Sequence, residues 1–137
     1  MSDVVPPTAG RMEFRVRYVE CDPMGMAHHT AYPVWFEMGR TELLRESGMN
    51  YRDLEAQGIL LAVARLNVRY KRPARYDDVL TLHTRVVGNS RVKIEHEYQL
   101  FRGDELLAEA SSTLACLDAA GALRALPDSL VALLGVE

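Results

Sequence analysis

Residues 18–40, YVECDPMGMAHHTAYPVWFEMGR, place one carboxylate in a Pro/Gly turn a few residues before a helix rich in aromatic side chains. Asp-Pro-x-Gly is a favourable type I turn, with Asp22 at its first position and Gly25 at its fourth. The first N–H groups of a helix have no partners within it, so the turn brings a negative charge close to unpaired donors. This layout is suited to attack on a carbonyl carbon.

A helical pattern begins at Thr30, where apolar residues start to recur every three or four positions. Thr30 is suited to the N-cap, and Gly48 to the position just past the C-terminus of the helix. The face predicted to be buried carries Tyr32, Phe36, Gly39 and Leu43. A glycine among these large side chains predicts that the helix approaches a sheet closely at Gly39. Residues 50–58 predict a second, shorter helix.

Alternation of apolar and polar residues predicts strands on both sides of this helix. The predicted strands are residues 12–18, 66–70, 80–86, 92–100 and a last long strand over 108–117. Turn residues at 88–90 and 103–104 predict hairpins, and therefore an antiparallel sheet. We expect an α+β domain in which the long helix covers one face of the sheet.

Length and composition fit one globular domain. The chain has 137 residues, of which 26% are charged, as in ordinary soluble proteins. Residues 1–10 are predicted to be a flexible N-terminal tail, which leaves residues 11–137 as the single domain. The net charge of −3 gives no case for nucleic-acid binding. No apolar run approaches the roughly 20 residues that span a bilayer.

Cysteine and histidine usage argues against disulfides and metals. Cys21 and Cys116 are too few for a disulfide framework and lack metal-ligand spacing. The neighbouring His28 and His29 point in different directions, and no third ligand is evident. The first ten residues have no signal-peptide pattern. We expect a soluble protein of the reducing cytoplasm.

Eight residues in one short window form a specific constellation: Tyr18, Asp22, Gly25, His29, Tyr32, Phe36, Glu37 and Arg40. Their spacing resembles the motif of the 4-hydroxybenzoyl-CoA thioesterase family, in its YbgC-like branch, and a looser match continues over residues 70–78. The resemblance implies a hotdog fold, a curved antiparallel sheet wrapped around the long helix. It also implies a homodimer or homotetramer with active sites at the dimer interface.

The activity implied by the resemblance is hydrolysis of an acyl-CoA to free acid and CoA, without a metal or an organic cofactor. The family's catalytic carboxylate falls on Asp22, and its oxyanion-stabilising backbone amide falls on His29. Elementary chemistry supports both roles. An ionised carboxylate can attack the carbonyl carbon or deprotonate a water molecule. The N–H groups that open a helix can polarise the carbonyl oxygen.

Four further residues are substrate-binding candidates. Gly25 shapes the turn, and Tyr32 is expected in the core, with a contact to the acyl pocket as the alternative. Arg69 and Arg72 lie close together at one predicted strand end and are candidate partners for the CoA phosphates. The same arginines are equally expected on a solvated strand face.

Some motif residues have structural alternatives. On spacing alone, Asp22 is a turn former more readily than a catalyst, and the surrounding motif reverses that preference. Other hotdog thioesterases carry their carboxylate on the long helix, which makes Glu37 the alternative acid. Its structural role would be an ion pair with Arg40 or Arg15. His96, on the apolar face of its strand, is expected to be a core histidine with its hydrogen bonds satisfied.

Two other functions stay open. One is hydrolysis of thioesters carried by acyl carrier protein, and the other is a non-catalytic hotdog module that binds acyl chains or acts as a scaffold. A cysteine nucleophile is disfavoured, because alternation turns Cys21 away from Asp22 and no base for the thiol is evident.

Overall fold

The computed structural model describes residues 8–134. Its elements in chain order are β1 (Ala9–Arg15), α1 (Ala31–Glu46), α2 (Tyr51–Ala56), β2 (Leu60–Tyr70), β3 (Val79–Asn89), β4 (Lys93–Arg102), β5 (Glu105–Leu117) and α3 (Asp128–Leu134). The predicted order of one strand, one long helix and four strands is confirmed. Within residues 8–134, no helix is long and apolar enough to cross a membrane.

All five strands form one antiparallel sheet in the order β1-β3-β4-β5-β2. The hairpin from β4 to β5 turns at residues 103–104, as the sequence predicted. The hairpin from β3 to β4 turns at residues 90–92, slightly later than the predicted 88–90, because Gly88 and Asn89 still pair with β4. β2 lies next to β5 at one edge of the sheet, whereas β3 pairs with β1 at the other edge. Residues 71–78 must therefore cross from one side of the sheet to the other. The α+β hotdog prediction is confirmed.

The apolar face of α1 packs against the inner face of the sheet. Trp35 and Phe36 are at most 1% exposed, and Tyr32 is 3% exposed. The Phe36 ring stacks on the ring of Tyr98 in β4, with centroids 4.7 Å apart. A smaller cluster of buried residues lies around Leu54 of α2. The sheet and α1 together form the rigid base from which residues 16–30 extend.

The close approach predicted at Gly39 is confirmed. A Cβ atom at this position would clash with Thr84 Oγ1 and would lie 2.7 Å from Leu82 Cδ2, both on β3. Because these atoms belong to buried side chains of the sheet, neither can move away without disturbing the core.

Gly39→Ala is expected to lower the free energy of unfolding by about 1 kcal/mol, because overpacking costs ~1–3 kcal/mol and the better helix propensity of alanine returns only ~1 kcal/mol. Urea unfolding followed by circular dichroism measures the difference. The loss should shrink in a Thr84→Ala background, where one of the clashing groups is gone. A Gly39→Ala protein more stable than wild type would contradict this packing.

The N-terminal boundaries differ from the prediction. β1 begins at Ala9, so residues 9–10 belong to the strand and not to the tail; residues 1–7 of that tail lie outside the described residues. The strand ends at Arg15, and the chain then forms a 3-10 turn over Tyr18–Glu20. The backbone N–H of Val16 donates to the carbonyl of Asp78 at 2.9 Å, which extends the contact with the β3 side by one residue past the Arg15–Val79 pair.

β2 is longer than predicted, and a β-bulge explains the error. The strand begins at Leu60, and its pairing with β5 shifts register between Val63 and Arg65. A bulge adds one residue and so breaks the period of two on which the prediction depended. The first part of the strand is also wholly apolar and shows no alternation.

Candidate active site

Asp22 lies at the first position of a tight turn before α1. The Gly25 N–H donates to the Asp22 carbonyl at 3.0 Å, and Gly25 has a φ of +80°, which favours glycine. The Asp22 N–H donates to the Met26 carbonyl at 2.8 Å, and Cys21 pairs with Ala27 in an isolated antiparallel bridge. These bonds fold the loop into a small hairpin, as the Asp-Pro-x-Gly sequence predicts.

The two carboxylate oxygens of Asp22 have different surroundings. Oδ1 accepts hydrogen bonds from the backbone N–H groups of Met24 and Met26, at 2.9 and 3.1 Å. Oδ2 takes part in none of the hydrogen bonds or ion pairs formed among residues 8–134, and the side chain is half-buried. Oδ1 therefore holds the turn, while Oδ2 has a lone pair to offer to a substrate or a water.

The backbone around His29 leaves one N–H available at the start of α1. The His28 N–H donates to the Glu20 carbonyl at 2.8 Å, and the Ala31 N–H donates to the His28 carbonyl at 2.9 Å. No hydrogen bond in the described part of the chain uses the His29 N–H. The Tyr70 hydroxyl donates to the His29 carbonyl at 3.2 Å. Neighbouring bonds thus fix the amide while its hydrogen stays open to a ligand oxygen.

The histidine rings themselves are exposed. The rings of His28 and His29 lie 4.4 Å apart, and His28 Nδ1 lies 2.8 Å from Thr30 Oγ1. Thr30 occupies the predicted N-cap position, but its side chain makes no capping hydrogen bond. In residues 8–134, no group of three His, Cys, Asp or Glu side chains is placed to hold a metal ion.

The segment after β2 braces the loop. The Ala27 N–H donates to the Ala74 carbonyl at 2.8 Å, and the Tyr76 N–H donates to the Gly25 carbonyl at 2.9 Å. The Ala74 N–H donates to the Tyr32 hydroxyl oxygen at 3.2 Å, and burial raises the pKa of Tyr32. Tyr32 is therefore a core residue whose hydroxyl holds Ala74 in place. Through these hydrogen bonds the segment 70–78 lies beside the turn.

Glu20 is a component of the site that the sequence patterns did not reveal. Its carboxylate is only 9% exposed and accepts hydrogen bonds from the Trp35 indole N–H at 2.9 Å and the Arg17 backbone N–H at 2.8 Å. Burial acts to raise the pKa of Glu20, but these two hydrogen bonds, a third from the Arg17 guanidinium at 3.1 Å and the Arg17 charge together lower it further than burial raises it. Glu20 thus joins the loop to α1 as a carboxylate. The sequence did hold one indication of this contact. Trp35 lies beside the apolar face of the helix, and a buried indole N–H needs an acceptor such as a carboxylate.

The thiol of Cys21 is not activated. Burial raises its pKa, and the negative charges of Glu20 and Asp22 raise it further. A raised pKa disfavours the thiolate, which is the reactive form. The environment of Cys21 therefore argues against a cysteine nucleophile.

Glu37, the alternative acid, is exposed on α1 and forms neither ion pair considered from the sequence. Arg15 pairs with Asp77 at 3.3 Å, and Arg40 is buried and donates to the Tyr98 hydroxyl at 2.9 Å. Among the described residues, Glu37 has no salt bridge. Its side chain is not held in place, in contrast to the anchored carboxylate of Asp22.

Neither of the two candidate CoA-binding arginines forms a hydrogen bond or ion pair with the Asp22 turn among residues 8–134. Arg69 lies on the outer face of the sheet, in a groove that also includes Glu97 and Gln99. Arg72 pairs through Nε with Glu105 at 3.0 Å on an exposed surface. Their role as phosphate partners stays a prediction.

Exposed apolar side chains surround the turn, where a solvated loop would carry polar ones. They are Tyr18, Val19, Met24, Val34 and Tyr76, which are 47–80% exposed. A cavity of about 430 Å³ opens at the start of α1, between loop residues such as Val19 and helix residues such as Val34. Ligand sites have volumes of roughly 300–1,000 Å³, so this space has the size of a ligand site; its lining includes the neighbours Cys21 and His28 but neither Asp22 nor His29.

Comparison with known proteins identifies relatives over most of the chain. The family model described as "Thioesterase-like superfamily" matches residues 16–134. The chain is 36% identical over 109 residues to YneP of Bacillus subtilis (strain 168), covering 79% of each. It is 32% identical over 127 residues to acyl-CoA thioester hydrolase YbgC of Escherichia coli O157:H7, covering 91% of this chain and 95% of YbgC. The crystal structure of DHNA-CoA thioesterase from Staphylococcus aureus superposes with a TM-score of 0.85 at 32% identity, over 90% of this chain and 87% of that one.

Proposed function

Because the chain belongs to the thioesterase-like superfamily, it is a thioester hydrolase, and we propose that Asp22 and the backbone N–H of His29 carry out its chemistry. The substrate is an acyl-CoA, as the names of YbgC and of DHNA-CoA thioesterase support. One observation carries the assignment of residues. Asp22 Oδ2 and the His29 N–H are a chemically complementary pair, without partners in the described chain, on one short and braced loop.

The proposed reaction begins with the thioester oxygen accepting a hydrogen bond from the His29 N–H. Asp22 Oδ2 then either attacks the carbonyl carbon or removes a proton from a water molecule that attacks it. Attack by Asp22 gives a mixed anhydride and releases the CoA thiolate, and water then cleaves the anhydride and restores the carboxylate. Both routes release the free acid and CoA. The developing oxyanion stays next to the helix N-terminus, where the peptide dipoles stabilise negative charge.

A homodimer or homotetramer is the proposed active form. β2 is an edge strand within the described residues, yet apolar side chains on its inner face are partly exposed: Val63 is 50%, Leu66 37% and Tyr70 48% exposed. A long apolar edge strand favours pairing with another chain. A second protomer that pairs with β2 would also extend the apolar surface near the turn. The two free cysteines support the reducing cytoplasm as the location.

Release of free thiol from short, long and aromatic acyl-CoAs tests the proposed activity. We expect turnover of at least one class by purified protein, with matched acyl-carrier-protein substrates hydrolysed at least about tenfold more slowly, since the proposed site takes the CoA ester itself. Faster turnover of the carrier-protein substrates would favour that alternative. No thiol release from either set would favour a non-catalytic module.

A further inference from the structure

Arg40 carries a buried charge that no ion pair among residues 8–134 neutralises. The residue is 7% exposed, and its Nη1 donates to the Tyr98 hydroxyl oxygen at 2.9 Å. Tyr98 Oη lies in turn 2.5 Å from Ser112 Oγ. The Nε atom is buried without a hydrogen-bond partner. None of the ion pairs in the described part of the chain includes Arg40, although a guanidinium is charged at every physiological pH.

His96 of β4 is a second unpartnered group close by. It is 6% exposed, its ring stacks against that of Tyr98, and its Nδ1 is buried without a partner. Burial, and secondly the charge of Arg40, lower the pKa of His96 to about 4, so the ring is neutral at pH 7. The predicted core position is confirmed, but the prediction of satisfied hydrogen bonds is wrong. A neutral imidazole still has one N–H to donate.

Arg40 and His96 line the same cavity. Its volume is about 30 Å³, and Tyr51 of α2 lines it as well. Burial raises the pKa of Tyr51 more than the neighbouring charge and hydrogen bond of Arg40 lower it, so the hydroxyl keeps its proton and remains a donor. The other lining residues are mostly apolar, and none belongs to the Asp22 loop. Since one water needs about 10–15 Å³, the space is large enough for a chloride ion or a carboxylate group and too small for an acyl chain.

We propose that this cavity is a binding site for a small monovalent anion, chloride or the carboxylate of a short organic acid, held by Arg40, Tyr51 and His96. A buried charge is costly unless it is paired, and the apolar walls strengthen any ion pair formed there. The nearest acid on the same helix is Glu37, one turn earlier, and it is exposed. The bound anion connects α1, α2 and β4, and so stabilises the packing of the helices on the sheet.

Anomalous scattering from crystals grown in sodium bromide tests the site directly, because bromide replaces chloride and is located by its absorption edge. We expect a bromide peak within hydrogen-bonding distance of Arg40 Nε. A cavity that holds only water, or a carboxylate side chain of a neighbouring subunit in the position of the ion, would overturn the proposal.

Thermal unfolding at constant ionic strength gives a second test in solution. Sodium gluconate is the reference salt, because its six-carbon chain is too large for a cavity of about 30 Å³. Replacing it by chloride should raise the midpoint in a saturable way, by about 5 °C at tenfold saturation, and the comparison with acetate shows which anion binds better. Arg40→Met should abolish the response, whereas Arg45→Met, an exposed arginine of the same helix, should keep it. If Arg40→Met does not fold, His96→Leu should raise the half-saturating concentration about tenfold through the loss of one donor. A wild-type midpoint independent of the anion would refute the site.

Discussion

Asp22→Asn is expected to lower kcat for acyl-CoA hydrolysis by at least ~10²-fold while the fold stays intact. In this structure the substitution removes the reactive carboxylate oxygen but keeps the hydrogen bonds of the turn. An asparagine side-chain oxygen can still accept the hydrogen bonds from Met24 and Met26 that Asp22 Oδ1 accepts at 2.9 and 3.1 Å. The amide nitrogen that replaces Oδ2 can neither attack a carbonyl carbon nor take a proton. The measurement is thiol release under saturating substrate, together with urea unfolding of both proteins.

Two further variants decide between the turn role and the catalytic role of Asp22. Asp22→Ala removes the acceptor of the turn as well as the charge, so it should lose activity and also lower the free energy of unfolding by about 1 kcal/mol. Glu37→Gln is the matched control, because it neutralises the exposed helical acid, and it should keep activity within a few-fold of wild type. Near wild-type activity of Asp22→Asn, or a larger loss for Glu37→Gln, would place the chemistry elsewhere.

Strands were predictable from the sequence wherever apolar and polar residues alternate without interruption. β4 alternates through its whole length, and its predicted and observed bounds agree within a residue or two. β2 was half missed because the bulge after Val63 shifts the alternation by one residue. The pairing of β2 with β5 rather than with β3 depends on how residues 71–78 cross the sheet, and no local pattern encodes that path.

The turn of the candidate site was predictable, but its surroundings were not. Asp-Pro-x-Gly specifies a turn through local backbone preferences, whereas the brace from Ala74 and the link from Glu20 to Trp35 join residues distant in the chain. The burial of Arg40 could have been predicted from its position in the helix. It stands four residues after Phe36 and three before Leu43, which is the spacing of one helical face. In the structure the guanidinium enters the core and donates to the Tyr98 hydroxyl.

Two substitutions at His29 separate the imidazole ring from the backbone amide. His29→Ala keeps the N–H and should retain kcat within about tenfold of wild type, whereas His29→Pro removes the N–H and should lower kcat by ~10²–10³-fold, the usual effect of losing one oxyanion donor. Proline is tolerable here on hydrogen-bonding grounds, because no bond among residues 8–134 uses this N–H.

The split between kcat and KM distinguishes loss of the donor from loss of the site. Negative charge on the oxygen develops in the transition state, so losing the donor should lower kcat far more than it raises KM. Proline at position 29 also restricts His28 to extended conformations, and urea unfolding of the variant measures that strain. A damaged loop would raise KM and lower the unfolding free energy together. Equal losses in His29→Ala and His29→Pro would assign the function to the ring, which is exposed and not anchored at its tip, and the amide would then not be the oxyanion donor.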